Sequence, residues 1–216
     1  GRHVARVSGA PEVYGELPMT CLAEEIETPG VGQVRALFTV ATNPVLSSPN
    51  GPRLAAALDT LDFMVSLDIY INETTRHADV ILPAPSPLED FHYDVVFPQL
   101  SWRNHARYSP PVLPRDPDQP EEWETLLKLT AIAQGKGADG ADAAVESLDD
   151  AQFAEDAQRL FGAHAQAVIH ATQGLRGPQR LLDVALRSGP YGDGFGRTPE
   201  GLNLAKVMAA NASGGI

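Results

Sequence analysis

Two short apolar runs on either side of a helical pattern constrain the fold of this chain more than any other feature. Residues 36–40 are apolar or β-branched and too few for a helix, which is typical of a buried parallel strand. Leu54, Leu58 and Leu61 recur at helical spacing, and residues 63–67 repeat the strand pattern. A helix between two such strands makes a βαβ unit, so the sequence predicts an α/β fold with a parallel sheet.

Polar residues stand where each predicted strand ends. Pro44 stops the first strand because it has no donor for the ladder, and it restricts the backbone of Asn43. Asp68 directly follows the second strand. Ligands of such folds bind at the carboxyl ends of the strands, and dinucleotide folds place an acid about 20 residues beyond the phosphate loop. No G-x-G-x-x-G motif is present, however, so the residues alone favour nucleotide binding and a plain structural loop equally.

A longer pattern extends this unit. It joins Asn43-Pro44, Asp68, the run N-E-T-T-R-H-A-D-V-I-L-P at 72–83, and Glu89. As a set these residues resemble the molybdopterin oxidoreductases, the family of bis-molybdopterin-guanine-dinucleotide enzymes that includes formate dehydrogenases, nitrate reductases and dimethyl sulfoxide reductase. The segment 110–134 resembles the following part of the family more loosely.

The resemblance implies a Rossmann-like parallel-sheet domain, with helices on both faces, followed by a mainly helical segment. In the family this layer holds the guanosine end of one molybdopterin guanine dinucleotide. Carried over by position, Thr42 and Asn43 would lie against the pyrophosphate or ribose. Asp68 would accept hydrogen bonds from guanine or from ribose hydroxyls, since an ionised carboxylate only accepts. Thr74 and Asp79 would shape the polar rim of the site.

Other parts of the family pattern are missing. Cys21 is the one cysteine, and no spacing here could hold an iron–sulfur cluster. The apolar neighbours of Cys21 favour a buried structural thiol over a metal ligand. The resemblance implies a molybdenum or tungsten bis-molybdopterin-guanine-dinucleotide cofactor in the parent protein, with any iron–sulfur cluster outside this segment. We assign no catalytic or metal-ligating residue to the segment and expect it to be inactive alone.

The sequence after Glu89 leaves a second hypothesis open. The family carries a Gly-Thr and an Asn-x-Glu-Gly-Arg run there, whereas this chain has D-F-H-Y-D at 90–94 and W-R-N-H at 102–105. The alternative is a non-catalytic structural subunit of an electron-transfer complex that keeps the fold with an empty pterin site. Retention of Asn43, Asp68, Thr74 and Asp79 favours the enzyme.

We expect the chain to be an internal piece of a longer protein, because it begins with Gly1 and the family's enzymes are several times longer. Its partners would then be the remaining domains of the parent chain and an unidentified electron-transfer protein. A net charge of −12 argues against nucleic acid and against anionic membrane surfaces, which need clustered positive charge. The sequence contains no apolar run long enough to cross a membrane, so we expect no membrane contact from this segment. We expect a cytoplasmic protein, and periplasmic export by a missing N-terminal signal stays open.

The sequence predicts a cofactor-binding domain at 1–134, a loop or flexible link at 135–147, and a helical extension at 148–216. The glycine-dense stretch 189–196 lacks the Lys-Ser/Thr of a phosphate loop and favours a surface loop.

Two histidine patterns leave alternatives open. The alternating acids and histidine at 90–94 fit a solvated loop better than a metal site. His77 fits a structural hydrogen bond at a helix end better than a contact to cofactor phosphate.

Overall fold

The computed structural model describes residues 2–137, 139 and 143–213. The chain divides into two compact units, Gly1–Ala84 and Pro85–Ile216. Residues 85–134, which the sequence groups with the cofactor-binding domain, thus lie in the second unit. Within the predicted link, residues 138 and 140–142 lie outside the described residues. The predicted extents of the functional domains stay a prediction.

The first unit contains a three-stranded parallel sheet in the order β1-β2-β3. The register pairs Ala36 with Phe63 and Val65 with Val80. This sheet, with its helices and the helical part that follows, confirms the α/β fold. The elements are α1 Leu22–Glu27, β1 Ala36–Val40, α2 Pro44–Ser47, α3 Gly51–Leu58, β2 Phe63–Leu67 and β3 Val80–Leu82.

One face of the sheet packs against α1 and α3. Met64 of β2 lies in one buried cluster with Ile26 of α1 and with Leu58 of α3. Burying each such side chain contributes about 1.5–3 kcal/mol to the stability of the unit. On the same face, the hydroxyls of Thr39 and Ser66 share a buried hydrogen bond of 2.7 Å between neighbouring strands. The strand patterns predicted this packing because alternate side chains of a strand share a face.

The opposite face of the sheet is apolar but partly exposed. It carries Phe38, Val40, Phe63 and Val80, which are between 38% and 49% exposed. The sequence predicts helices on both faces, whereas the hydrophobic contacts described within the first unit hold the helices against the Met64 face.

The second unit is largely helical. Helix α4 begins with a capping box, in which Glu121 and Glu124 each bond the other's backbone N–H, and it runs into a π-helical turn at Ile132–Lys136. The core of this unit contains Tyr108, Leu182 and Val207. The helices are α4 Glu122–Ala131, α5 Val145–Phe161, α6 Ala165–Ala171, α7 Gly177–Ser188 and α8 Leu204–Ala209.

Helices occupy much of the segment 148–216, as the sequence predicts for a helical extension. Short 3-10 turns complete the described structure: Met19–Cys21, Thr75–His77, Phe97–Leu100, Gly162–His164 and Ala210–Ser213. Among the described residues, no helix combines the length and apolar character needed to cross a membrane.

Candidate cofactor site at the carboxyl edge of the sheet

The loops after β1 and β2 leave the sheet side by side. Ala41 N–H donates to Leu67 O at 2.9 Å, and Asp68 N–H donates to Leu82 O at 3.1 Å, so pairing continues one residue past each strand. Ala41 achieves this with φ of 44°, a left-handed conformation that a residue with a Cβ rarely adopts. The loop that begins at Thr42 and the carboxylate of Asp68 therefore share one edge.

Asn43 is held by the loop that follows β2. Its Nδ2 donates to Glu73 Oε2 at 2.6 Å, and its Oδ1 accepts from Thr74 Oγ1 at 2.7 Å. The same Thr74 oxygen accepts from Val45 N–H at 3.0 Å. Thr74 is fully buried, and its hydroxyl fixes the Asn-Pro loop through these two hydrogen bonds. Its place at the rim of a ligand site stays a prediction.

Asp68 is tied into the same loop. Its Oδ1 accepts from Tyr70 N–H at 2.9 Å, and its Oδ2 accepts from Asn72 Nδ2 at 3.3 Å. The hydroxyl of Thr75 accepts from Asn72 N–H at 2.8 Å and donates to Tyr70 O at 2.9 Å, which closes the turn. Since each carboxylate oxygen has two lone pairs, Asp68 keeps capacity for further donors.

A continuous set of hydrogen bonds joins the two strongest sequence candidates. Asn72 links them, because its Oδ1 accepts from Thr74 N–H at 2.9 Å and its Nδ2 donates to Asp68. The hydroxyl of Thr74 in turn donates to Asn43. We call the five side chains of this set the edge network; they are Asn43, Asp68, Asn72, Glu73 and Thr74. The network fixes the spacing of Asn43 and Asp68 in advance of any ligand.

Asp79 lies elsewhere. Its Oδ2 accepts from Met64 N–H at 2.7 Å, and its own N–H donates to Met64 O at 2.9 Å. Met64 is near the start of β2, and Asp79 directly precedes β3, so this pair closes the amino edge of the sheet. The structure thus brings Thr42, Asn43, Asp68 and Thr74 together and separates Asp79 from them.

Asn72 and Glu73 were part of the recognised run, but the sequence assigned them no place in the site. The pKa of Glu73 is lowered below 4.5, chiefly because Asn43 donates a hydrogen bond to its carboxylate. The carboxylate also accepts from the backbone N–H of Glu73, and the charge of Arg76 lowers the pKa further. An Asn three residues before a Thr is a signal for a side-chain-closed turn, and it could have predicted the role of Asn72.

The edge keeps donors free for a ligand. Among the described hydrogen bonds, the N–H groups of Thr42, Asn43, Ile69 and Ile71 have no acceptor. Thr42 is exposed and Asn43 is half-buried, so both N–H groups are accessible from the loop. Backbone N–H groups bind phosphate and ribose oxygens, and a carboxylate binds the N–H groups of a base. The residues present therefore fit the polar end of a nucleotide.

The other candidates have structural partners. His77 Nδ1 lies 2.6 Å from Asp59 Oδ1, which is the structural hydrogen bond at a helix end that the sequence favoured. Cys21 is buried, with its Sγ 3.4 Å from Ser8 Oγ. Asp94 Oδ1 accepts from the N–H groups of Val96 and Phe97. No cluster of three or more His, Cys, Asp or Glu able to hold a metal occurs in the part of the chain that the structure describes.

A parallel sheet with polar residues at the carboxyl ends of its strands is the arrangement at which α/β folds commonly bind ligands. Residues 5–97 match the family model of the molybdopterin oxidoreductases. Over this region, which is less than half of the chain, the sequence is similar to the molybdopterin oxidoreductases.

Curated relatives agree with this assignment. The chain is 42% identical over 138 residues to the assimilatory nitrate reductase catalytic subunit of Bacillus subtilis. The matched stretch covers 62% of this chain and 18% of that protein. It is 41% identical over 51 residues to an F420-dependent formate dehydrogenase subunit alpha of Methanocaldococcus jannaschii, covering 24% and 8%. It is also 41% identical over 54 residues to a nitrate reductase of Shewanella frigidimarina, covering 24% and 6%. The matches span only these small shares of the relatives' lengths.

Proposed function

We propose that the carboxyl edge of this sheet binds the guanosine end of a molybdopterin guanine dinucleotide in a molybdenum or tungsten oxidoreductase. The observation that carries the proposal is the edge network, which spaces Asn43 and Asp68. Within the described residues, the N–H groups of Thr42 and Asn43 have no acceptor. Preorganised donors and acceptors cost little ordering entropy when a ligand binds.

Each residue has a distinct role in this proposal. The N–H groups of Thr42 and Asn43 donate to pyrophosphate or ribose oxygens. Asp68 accepts from N1–H and the N2 amino group of guanine, and Thr74 holds the Asn-Pro loop in place. Asp79 supports the sheet from the opposite edge. When bound, the metal and its pterin dithiolenes supply the redox chemistry, while this chain binds and orients the nucleotide end.

The names of the relatives support an oxidoreductase that acts on nitrate or formate. The assimilatory nitrate reductase of Bacillus subtilis matches the larger part of this chain, and the formate dehydrogenase matches a shorter one. We therefore place the chain in the cofactor-binding part of such an enzyme and expect the segment alone to be inactive, with the remaining domains of the parent chain as its partners.

A pair of ligands tests the guanine contact. Inosine 5′-monophosphate lacks only the N2 amino group of guanosine 5′-monophosphate, so the two differ by one donor to Asp68. We would titrate both into the 216-residue chain and follow the Tyr70 backbone amide and the Asn72 side-chain amide by NMR. We expect about tenfold tighter binding of the guanine ligand, since a hydrogen bond to a charged group is worth roughly 1.5–3 kcal/mol.

Two variants on the same strand separate this contact from general charge. Asp68→Asn should abolish the preference for guanine, because the amide replaces one of the two acceptor oxygens by an NH2 donor that cannot pair with a guanine donor. Asp62→Asn is the matched control, since Asp62 precedes the same strand at the other edge and pairs with Arg35. Equal binding of the two nucleotides, or equal effects of the two variants, contradicts the assignment of Asp68.

The parent enzyme gives the second test. We would purify it from its own host and measure metal content together with the guanosine monophosphate that acid releases. Molybdenum or tungsten, reduced in an Asp68→Ala variant that still folds, supports the proposal. A folded preparation without metal and without guanosine monophosphate points to the alternative, a structural subunit with an empty pterin site.

A further inference from the structure

The glycine-dense loop at 189–196 is folded around a buried carboxylate. Asp193 is 4% exposed, and its Oδ2 accepts from Arg187 Nη1 at 2.6 Å and from Asn203 Nδ2 at 3.0 Å. Its Oδ1 accepts from Phe195 N–H at 2.9 Å. The stretch is therefore a surface loop, with Pro190, Tyr191 and Gly196 exposed, that Asp193 anchors to the second unit.

Two backbone positions show how tightly the loop is determined. A Cβ at Gly192 would lie 2.2 Å from Arg187 O, so only glycine fits there. Phe195 has φ of 60°, a left-handed conformation that is unfavourable for a bulky side chain. Such strain persists where the surroundings fix the conformation, and it is common at binding sites. Here it directs the Phe195 ring toward Phe161, with ring centroids 5.7 Å apart in an edge-to-face contact.

A cavity of about 340 Å³ opens beside this loop. We call it the glycine-loop cavity. Its volume lies in the range of about 300–1,000 Å³ that is usual for small-molecule sites, which combine aromatic walls with a few polar groups. The side chains that matter for its chemistry are Phe161, His164, Arg187, Ser188, Phe195 and Arg197.

All charged residues that line the glycine-loop cavity are cationic, in a chain with a net charge of −12. Arg187 is neutralised by ion pairs of 2.6 Å to Asp183 and to Asp193. Arg197 is different, because no carboxylate among the described residues lies within ion-pair distance of its guanidinium. Its Nε donates to Gly194 O at 2.9 Å, which positions the group and leaves its two Nη atoms available.

His164 adds a second donor. It belongs to the 3-10 turn between α5 and α6, and its side chain is exposed. Among the described hydrogen bonds none involves the His164 ring. Judged on the described residues, the cavity thus offers a guanidinium without an ion-pair partner and an imidazole, beside two phenyl rings.

We propose that the glycine-loop cavity binds a small organic phosphate that carries an aromatic or heterocyclic ring. The phosphate pairs with Arg197 and His164, because its three terminal oxygens can accept from both groups and guanidinium matches phosphate geometry. The ring lies against Phe161 and Phe195, where aromatic contacts add to apolar burial. This site is distinct from the carboxyl edge of the sheet, and the proposal does not depend on the cofactor assignment.

Phenyl phosphate is the probe, because it has the ring and the anion but none of the donors that Asp68 would recognise in guanine. We would titrate it into the 216-residue chain by calorimetry and follow Phe195 and Gly194 amides by NMR. We expect saturable binding at one site. Inorganic phosphate should bind at least tenfold more weakly because it lacks the ring.

Matched variants assign the contacts. Arg197→Gln should weaken phenyl phosphate binding by about tenfold or more, as expected for loss of a charge-assisted hydrogen bond. Arg103→Gln is the control in the same unit, since Arg103 is exposed and stacks on Trp102 outside the cavity. His164→Gln removes the second donor without touching the bond from Arg197 to Gly194, so it separates lost recognition from a changed loop.

The outcomes are distinct. Weakening by Arg197→Gln and by His164→Gln, with Arg103→Gln within twofold of the unmodified chain, supports the site. Absence of saturable binding overturns it. So does equal weakening by Arg197→Gln and Arg103→Gln, which would mean that net charge alone attracts the anion.

Discussion

Thr74 donates its hydroxyl to Asn43 across 2.7 Å, and through this bond the turn after β2 fixes the loop after β1. The hydroxyl also accepts from Val45 N–H, so one buried oxygen serves two loop residues. Thr74 was predicted to shape the polar rim of the site, and its hydroxyl holds the loop of Asn43, the residue that we propose lies against the ligand. Its removal should therefore act first on the stability and order of the edge, and only through that on binding.

Replacing Thr74 by Val tests this role, since valine keeps the shape and loses both hydrogen bonds. We expect the free energy of unfolding to fall by about 1–3 kcal/mol, the usual cost of leaving buried partners unmade. Thr74→Ser keeps the hydroxyl and is the control. Urea unfolding of the three chains measures the effect, and equal stability of the Val and Ser variants would contradict it.

The carboxyl of Glu73 should titrate abnormally low because Asn43 donates to it, with a further contribution from Arg76. A folded-state pKa below 4.5 means that ionised Glu73 stabilises the folded chain above that pH. This contribution is lost as the pH falls through the lowered folded value. Carboxyl NMR titration measures it, and Asn43→Ala should return the pKa toward 4.5. An unchanged titration in that variant would remove Asn43 as the cause.

The left-handed backbone of Ala41, with φ of 44°, strains the end of β1 and lowers the free energy of unfolding. Ala41→Gly should raise the free energy of unfolding by about 1 kcal/mol, since glycine adopts this conformation without a Cβ clash. Ala56→Gly, in the middle of α3, should lower it by about 1 kcal/mol. Thermal and urea unfolding compare the two changes, and the same sign for both would show that strain at Ala41 is negligible.

Asp193 should be a strong determinant of stability in the second unit. Burial raises its pKa, but the hydrogen bond from Asn203 and the charge of Arg187 outweigh burial and lower it below 3.8. The ionised form therefore stabilises the fold above that pH, and the contribution is lost as the pH falls through the lowered value.

Removing that charge leaves Arg187 with one carboxylate partner fewer. Asp193→Asn should cost about 3 kcal/mol at neutral pH, as expected when one member of a buried ion pair is lost. Asp156→Asn is the control, because Asp156 pairs with Arg159 on an exposed helix surface and should cost about 0.5 kcal/mol or less. Urea unfolding at neutral pH compares them, and a similar small effect of both would contradict a buried structural role for Asp193.

The local pattern of the sequence was sufficient for the first two strands and for the helix between them. Apolar runs at 36–40 and 63–67 became β1 and β2, and the leucine spacing after Pro52 became α3. Pro44 ended the first strand as expected, because a missing N–H acts locally whatever the rest of the chain does. The order of strand, loop and acid was therefore predictable, and so was the shared edge of Asn43 and Asp68.

Roles that depend on distant contacts were not predictable in this way. Thr74 and Asp79 belong to the same run at 72–83, yet Thr74 turns inward to Asn43 and Asp79 closes the opposite edge of the sheet with Met64. Sequence spacing does not say which polar side chain is buried, because burial depends on where other loops pass.

The amino-acid sequence by itself determined the βαβ pattern, the polar ends of two strands and the family resemblance, since these depend on neighbours along the chain. The tertiary structure alone decided which of those polar residues support the edge and which remain open to a ligand. It also decided that a loop of glycines folds around Asp193 beside a cationic cavity. Both depend on hydrogen bonds between residues far apart in sequence, whose energies arise only when the chain has folded.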